Sequence, residues 1–358
     1  MSQSLKTSDT PIVGQRTWDI YCAVIDNYGD VGVCWRLARH LAAANQTVRL
    51  FIDDATALQW MASAAERANI TTLAWPPDIS GAERDPQTCS DVVIEAFGCR
   101  LPPSTEAAIA ASKQCTWINL EYLTAEPYAT AAHGLPSPVM SGPAAGRIKW
   151  FFYPGFTAGT GGVLGPEPDP ADAWPARERD GLQVGVFSYE CPSLAHLAAQ
   201  AAAGNIHLFA AAGRSAQALK ALSPSSKNRT DLAPMTQPAF DRYLEAMDLN
   251  VVRGEDSLVR AIWAGKPFIW HIYPQDDQAH QQKLAAFLDW LAPPAEVRAL
   301  HNAWNDPEDA TAFASLWSDT TRQPLLAAWG ACVRDARKRL SEQPSLIDQL
   351  VAFVVSKQ

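Results

Sequence analysis

The residues best suited to chemistry form a short charged segment at positions 253–257, with the sequence Arg-Gly-Glu-Asp-Ser. Apolar runs flank it, and the pattern predicts a strand, this loop, a short helix that ends at Gly265 and a further strand. The N-terminus of a helix has backbone N–H groups without intrahelical partners and carries partial positive charge, so phosphate is its usual ligand. Arg253 adds a fixed positive charge and Ser257 a hydroxyl donor. The segment therefore predicts a phosphate site.

Glu255 and Asp256 do not fit a site that only holds phosphate. Two carboxylates would repel a diphosphate group, so they must serve another purpose. A phosphate site with acids beside it favours catalysis on a nucleotide-linked substrate.

A second acidic loop, at positions 26–30 (Asp-Asn-Tyr-Gly-Asp), follows the first predicted strand. Gly29 permits a tight turn, and Asp30 directly precedes a predicted helix, where it is well placed to cap that helix. Capping is a sufficient explanation for Asp30 alone. Two acids four residues apart, Asp26 and Asp30, are more than a cap requires. At least one of them is therefore a candidate for catalysis.

Further candidate contacts lie near the ends of strands predicted in the second half of the chain. Phe187 and Tyr189 have side chains that can stack on a base or border a sugar, and ordinary packing explains them equally well. Gln237, in a predicted loop before a helix at residues 240–247, offers an amide edge suited to a pyrimidine. Tyr273 follows the strand after the charged segment. The sequence has no Gly-x-Gly-x-x-Gly, His-x-x-x-His or Cys-x-x-Cys pattern, so we expect neither a dinucleotide cofactor nor a metal.

The strands and helices that must position these residues alternate regularly along the chain. Strands alternate with helices through residues 17–155 and again through 180–343, which predicts parallel sheets with helices on both faces. Residues 156–179 are rich in Gly and Pro and are predicted to be a linker. The predicted fold class is α/β, with two Rossmann-like domains facing each other across a cleft and the last helix (344–357) packing back on the first domain. Residues 1–16 are polar and are predicted to be a disordered N-terminal extension.

Composition sets limits on partner and compartment. At 358 residues the chain is too long for one compact core, and its hydrophobic fraction of 47% is ample for burial. The net charge of −9 argues against nucleic acid or an anionic membrane as partner. It suits a basic partner, although solubility alone explains a mildly acidic surface. Seven scattered cysteines indicate free thiols, and with no signal peptide or membrane-spanning run recognised we expect a cytoplasmic protein.

Three stretches together resemble the bacterial protein-arginine rhamnosyltransferases that modify elongation factor P, the EarP family, which are nucleotide-sugar transferases of the GT-B type. These stretches are residues 26–32, residues 187–190 and the long run 253–275, which continues from the charged segment through Ala-Gly-Lys-Pro-Phe-Ile-Trp. The likeness covers nearly the whole chain from Trp18 onward.

The resemblance implies inverting transfer of L-rhamnose from dTDP-β-L-rhamnose to an arginine side chain of elongation factor P, without a metal or any other cofactor. It implies that Asp30 is the general base, with Asp26 beside it and Glu255 as a second essential acid. Either Asp26 or Asp30 takes the proton. The donor-binding positions that it implies are Asn27, Tyr28, Gly29, Phe187, Tyr189, Gln237, Arg253, Gly254, Asp256, Ser257 and Tyr273. The alternative is a GT-B-type nucleotide-sugar transferase or epimerase with a different acceptor.

Overall fold

The computed structural model describes residues 14–24, 29–75, 89–167, 174, 181–275, 278–306, 310–317 and 319–357. Three predicted site residues, Asp26, Asn27 and Tyr28, lie outside this described part of the chain. So do residues 1–13 of the predicted extension and, apart from Trp174, the predicted linker after residue 167.

The first unit is built on a seven-stranded sheet in the order β3-β2-β1-β4-β5-β7-β6. Each described pairing is parallel except the one between β6 and β7. Its strands are β1 (Thr17–Cys22), β2 (Thr47–Ile52), β3 (Thr71–Ala74), β4 (Val92–Ala96), β5 (Thr116–Leu120), β6 (Pro136–Pro138) and β7 (Ile148–Phe152). Its helices are α1 (Gly29–Ala43), α2 (Leu58–Met61), α3 (Ala64–Ala68), α4 (Pro103–Ala111) and α5 (Pro127–Ala132).

The second unit is built on a five-stranded parallel sheet in the order β10-β9-β8-β11-β12. Its strands are β8 (Leu182–Phe187), β9 (Ile206–Ala210), β10 (Arg229–Asp231), β11 (Leu249–Arg253) and β12 (Phe268–His271). The helices that follow are α6 (Ser193–Ala202), α7 (Arg214–Leu222), α8 (Gln237–Ala246), α9 (Glu255–Ala264), α10 (Ala279–Leu291), α11 (Ala295–Asn305), α12 (Ala310–Leu316), α13 (Asp319–Ser341) and α14 (Leu346–Ser356). Two α/β units are thus present, as the sequence predicted.

Both faces of the first sheet are covered. All residues of β4 and β5 are buried, as expected for central parallel strands between two helical layers. One face packs on α1, and the other packs on α4 through Ile109. Among the described helices, none is long and apolar enough to cross a lipid bilayer.

The last helix, α14, packs on the first unit, which confirms the prediction. It shares a core with β1, β2 and α1 through Leu346, Ile347, Leu350 and Val354. Its Phe353 also contacts Phe152 of β7, with ring centroids 5.6 Å apart. The chain therefore passes from the first unit to the second and returns at its end.

Several predicted elements differ from the structure. Helix α1 begins at Gly29, so Asp30 lies within its first turn and not before it, and α9 begins at Glu255, inside the predicted loop. The sequence predicts one helix over residues 55–68, but α2 and α3 are separate, because Ser63 caps α3 in a reciprocal capping box with Glu66 and so begins a new helix. Gln237 is predicted in a loop, but it is the first residue of α8. The hydroxyl of Thr236 accepts a hydrogen bond from the Ala239 N–H and fixes that earlier helix start.

Candidate active site

The candidate site is formed where α1 of the first unit meets α9 of the second. Asp30 lies in the first turn of α1, and Glu255 is the first residue of α9. Gly254 precedes α9 with a φ of 72° and a ψ of 177°, a conformation that glycine adopts readily and other residues rarely do. The two helices are in contact, and the charge of Glu255 acts on Asp30, so the predicted base and the predicted second acid come from opposite units and lie near each other.

Asp30 has the electrostatic properties of a base that works near neutral pH. Burial of Asp30 and the negative charge of nearby Glu255 raise the pKa of its carboxyl to about 6. A hydrogen bond from the Tyr122 hydroxyl acts in the opposite direction. A carboxylate with this pKa is a stronger proton acceptor than an ordinary aspartate and is still ionised at pH 7.

Glu255 is held from both units. Its Oε2 atom accepts a hydrogen bond of 2.7 Å from the backbone N–H of Leu123, which follows β5 of the first unit. Its Oε1 atom forms an ion pair with Lys283 of α10. The ammonium group of Lys283 also lies 5.9 Å from the ring centroid of Tyr122. Glu255, Tyr122 and Lys283 therefore surround the same small volume.

Aromatic residues line the carboxyl edge of the second sheet. The guanidinium carbon of Arg253 lies 4.8 Å from the ring centroids of both Phe187 and Tyr189. Tyr189 in turn contacts Tyr273 and His271, with centroids 5.5 and 5.2 Å apart. Burial and the charge of Arg253 lower the pKa of His271 to about 3, so its imidazole is neutral. The structure thus brings together the predicted donor residues that end β8, β11 and β12.

Ser257 and Asp256 occupy the first turn of α9 with different partners. Ser257 is buried in the first turn of the helix, next to the position where the sequence predicts a phosphate group. Asp256 binds two arginines, with Oδ1 2.7 Å from Arg36 and Oδ2 2.7 Å from Arg260. Burial alone would raise the pKa of Asp256, but the charges of Arg260 and Arg36 outweigh it and lower the pKa to about 2. The contacts of Asp256 with Arg36 and Arg260 therefore join the two units. The donor-binding role of Asp256 stays a prediction.

These arginines belong to a larger buried network, which we call the junction network. Arg260 also binds Asp241 at 2.6 Å and Glu167 at 2.9 Å. Arg36 lies 3.3 Å from the same Glu167. Arg36 and Arg260 are only 1% and 2% exposed. Because Arg36 lies on α1, Arg260 on α9 and Glu167 on the segment between the units, the network fixes one unit against the other.

Gln237 also contacts the opposite unit. Its side-chain amide donates a hydrogen bond of 2.9 Å to the carbonyl of Gly32 in α1. A Cβ atom at position 32 would lie 3.3 Å from that amide nitrogen, so glycine permits the close approach. The amide oxygen of Gln237 is buried and has no hydrogen-bond partner among the described residues. The predicted role of Gln237 in donor binding stays a prediction.

Comparison with known proteins identifies the family. A family model described as elongation factor P (EF-P) rhamnosyltransferase EarP matches residues 18–355. The chain belongs to the EarP family. The protein-arginine rhamnosyltransferase of Pseudomonas putida is 36% identical, in an alignment that covers 94% of this chain and 98% of that protein. The enzyme of the same name from Neisseria meningitidis serogroup B is 33% identical and covers 95% of this chain and 97% of its own length.

Solved structures agree with this membership of the EarP family. A structure from work on EarP-mediated arginine glycosylation of translation elongation factor EF-P is 26% identical, with a TM-score of 0.56, and covers 96% of this chain and all of its own. The spinosyn rhamnosyltransferase SpnG has a TM-score of 0.55 at 15% identity, covering 95% of this chain and 99% of its own, so it shows the fold alone. The fold is the GT-B arrangement that the resemblance implied.

Several residues of this candidate site were not predicted from the sequence. Tyr122 follows β5 at the carboxyl edge of the sheet, a position that could have indicated it. Lys283 lies within an ordinary amphipathic helix, and the junction arginines resemble solvated helix residues, so no local pattern indicates them. Gly29 begins α1 and is exposed. Within the described ranges, no group of three or more His, Cys, Asp or Glu side chains is arranged to hold a metal ion.

Proposed function

We propose that this EarP-family protein transfers L-rhamnose from dTDP-β-L-rhamnose to an arginine side chain of elongation factor P, with inversion at the anomeric carbon. The observation that carries the proposal is the proximity of Asp30 and Glu255, two carboxylates from different units of which one raises the pKa of the other. Curated relatives of similar length bear the name protein-arginine rhamnosyltransferase, which supports the same reaction.

The donor binds to the second unit. The diphosphate lies at the N-terminus of α9, where backbone N–H groups, Ser257 and Arg253 stabilise the charge that develops on the leaving group. The base stacks near Tyr189 and Tyr273. Gln237 supports a thymine base, because its buried amide oxygen has no described partner and the imide N–H of thymine is a suitable donor. These groups supply positive charge without a metal ion, and we propose a metal-independent reaction.

The acceptor arginine binds at the acidic side of the cleft. A guanidinium has a pKa above 12, so a carboxylate cannot deprotonate it beforehand. Asp30 and Glu255 can instead hold the planar group, localise its positive charge and accept a proton as the new bond forms. The nucleophilic nitrogen forms a C–N bond to the anomeric carbon, the C–O bond to the diphosphate breaks, and the proton passes to Asp30. Single displacement in line inverts the anomeric configuration.

The overall charge of the chain is consistent with this acceptor. A net charge of −9 attracts a basic side chain and makes association sensitive to salt. We place the reaction in the cytoplasm, where elongation factors act.

Intact mass spectrometry tests the proposal. Purified elongation factor P is incubated with this protein and dTDP-β-L-rhamnose. The expected result is a mass gain of one deoxyhexose, absent when the acceptor arginine is replaced by lysine or when dTDP-glucose replaces the donor. Nuclear magnetic resonance of the glycopeptide should give the α-anomer. Unchanged mass under saturating donor would refute the proposed reaction, and a β-linked product would refute inversion.

A further inference from the structure

Lys283 places a positive charge inside the volume that the proposed function assigns to the acceptor arginine. Its ammonium group forms an ion pair with Oε1 of Glu255. The same ammonium lies 5.9 Å from the ring centroid of Tyr122, within the range of a cation–π contact. Tyr122 in turn hydrogen-bonds Asp30. One cation of the chain therefore contacts the groups that would bind a substrate cation.

The arrangement of Glu255 explains why this cation matters. Its Oε2 atom is already bound to the backbone N–H of Leu123, which leaves Oε1 as the oxygen that Lys283 occupies. A guanidinium that is to contact Glu255 through a second oxygen therefore competes with Lys283. The Lys283 side chain is 20% exposed and its stem is long and flexible, so it can move toward solvent without unfolding α10.

Tyr122 forms the opposite wall of the same volume. Its ring stacks on Phe97 with centroids 4.5 Å apart, and 41% of the residue is exposed. A stacked, partly exposed ring is a fixed surface on which a planar guanidinium can lie. The ring can accept the substrate cation in the place of the lysine ammonium.

We propose that Lys283 is a positioning residue that occupies the acceptor subsite as a tethered cation, and that the acceptor guanidinium displaces it from Glu255 before transfer. The inference rests on the proposed function and adds a specificity requirement to it. An entering side chain must bind Glu255 and Tyr122 better than a lysine ammonium does. A guanidinium meets that requirement through its planar fork, and a second lysine ammonium does not.

Steady-state kinetics of the full-length protein with elongation factor P test this inference. Lys283→Met keeps the stem and removes the charge, so the KM for elongation factor P should fall by up to about fivefold, the size of one partly exposed charge pair. Lys283→Arg should raise this KM above that of the wild type, because its fork binds the carboxylate more firmly. The affinity for dTDP, measured by calorimetry, should be the same in all three proteins.

The control is Lys220→Met, which makes the same charge change at an exposed position of α7 and should leave KM unchanged. Lys283→Gln is the second variant if the methionine variant does not fold. A KM that rises in Lys283→Met or Lys283→Gln would overturn the inference, since Lys283 would then assist the acceptor. A loss of dTDP affinity would also overturn it, since Lys283 would then serve the donor. Absence of transfer by the wild type would instead overturn the proposed function, and this inference with it.

Discussion

Asp30 and Asp256 are the same residue type, each in the first turn of a helix at the junction of the two units, but they ionise differently. Burial and the charge of Glu255 raise the pKa of Asp30 to about 6. Burial acts in the same direction on Asp256, but Arg260 and Arg36 outweigh it and lower the pKa to about 2. The charge of the neighbours, and not the degree of burial, decides which carboxylate can exchange a proton near neutral pH.

The helices α1 and α9 each contribute to two features, a carboxylate that can accept a proton and the contacts that join the two units. At the first turns, acids face each other and one is left ready to accept a proton. Further along, the junction network balances acids with arginines and joins the units. The helices α1 and α9 therefore carry both the carboxylates that we propose are catalytic and the contacts that join the two units.

The largest effect is expected on catalysis in Asp30→Asn. The rate of transfer at saturating donor should fall about 10³-fold, within the usual range for removal of a general base. Calorimetry should give wild-type affinity for dTDP, because the proposed contacts of Ser257 and Arg253 with the diphosphate and of Tyr189 and Tyr273 with the base all lie on the second unit. A rate within tenfold of the wild type would exclude Asp30 as the base and favour Asp26.

A smaller effect, on stability, is expected when the junction network is broken. Arg260→Met leaves Asp256, Asp241 and Glu167 without their shared partner and should reduce the free energy of unfolding by about 3 kcal/mol. Urea denaturation of the wild type and the variant measures this change in the free energy of unfolding. The control is Arg242→Met, which removes a partly exposed pair with Glu245 and should cost less than about 1 kcal/mol. Equal losses in the two variants would show that the buried network stabilises the fold no more than the control pair does.

The smallest effect is a gain in stability from Asp30→Asn, opposite in sign to its effect on activity. The pKa of Asp30 is raised in the folded state to about 6, so the ionised carboxyl reduces the free energy of unfolding, and this loss of stability is complete above about pH 6. The loss disappears below about pH 4, where the carboxyl is protonated in both the folded and the unfolded state. At pH 8 the variant should be more stable by about 1 kcal/mol, less than the full shift because the carboxyl is partly exposed. Urea unfolding at pH 8 and pH 4 measures the difference. A loss of stability at pH 8 would contradict the assigned cause.

Local patterns in the sequence were sufficient for the fold and for part of the site. Alternating strands and helices predicted both units, and the apolar stripe of the last helix predicted where α14 packs. The strand and the helix that flank the charged segment were predicted correctly, but the loop between them was predicted too long. Arg253 ends β11, and Glu255, Asp256 and Ser257 form the first turn of α9. The early start of α8 was missed, although Thr236 is a common helix cap.

The remaining residues depend on contacts between distant parts of the chain. Tyr122 and Glu255 are brought together only when the two units face each other. Arg36 and Arg260 lie on helices where an arginine normally faces water, and only the docking of α1 on α9 buries them. Such side chains have no signature in their own sequence neighbourhood. The acidic residue Asp26 stays a prediction.

The return of α14 to the first unit has a consequence for how the protein can be made. The apolar wall that Leu346, Leu350 and Val354 provide is synthesised after the second unit, although it completes the core of the first unit. A fragment ending at residue 155 would expose that core, and so would a nascent chain until α14 has left the ribosome. Separate production of the two halves therefore calls for a circularly permuted gene, in which the terminal helix is joined ahead of β1.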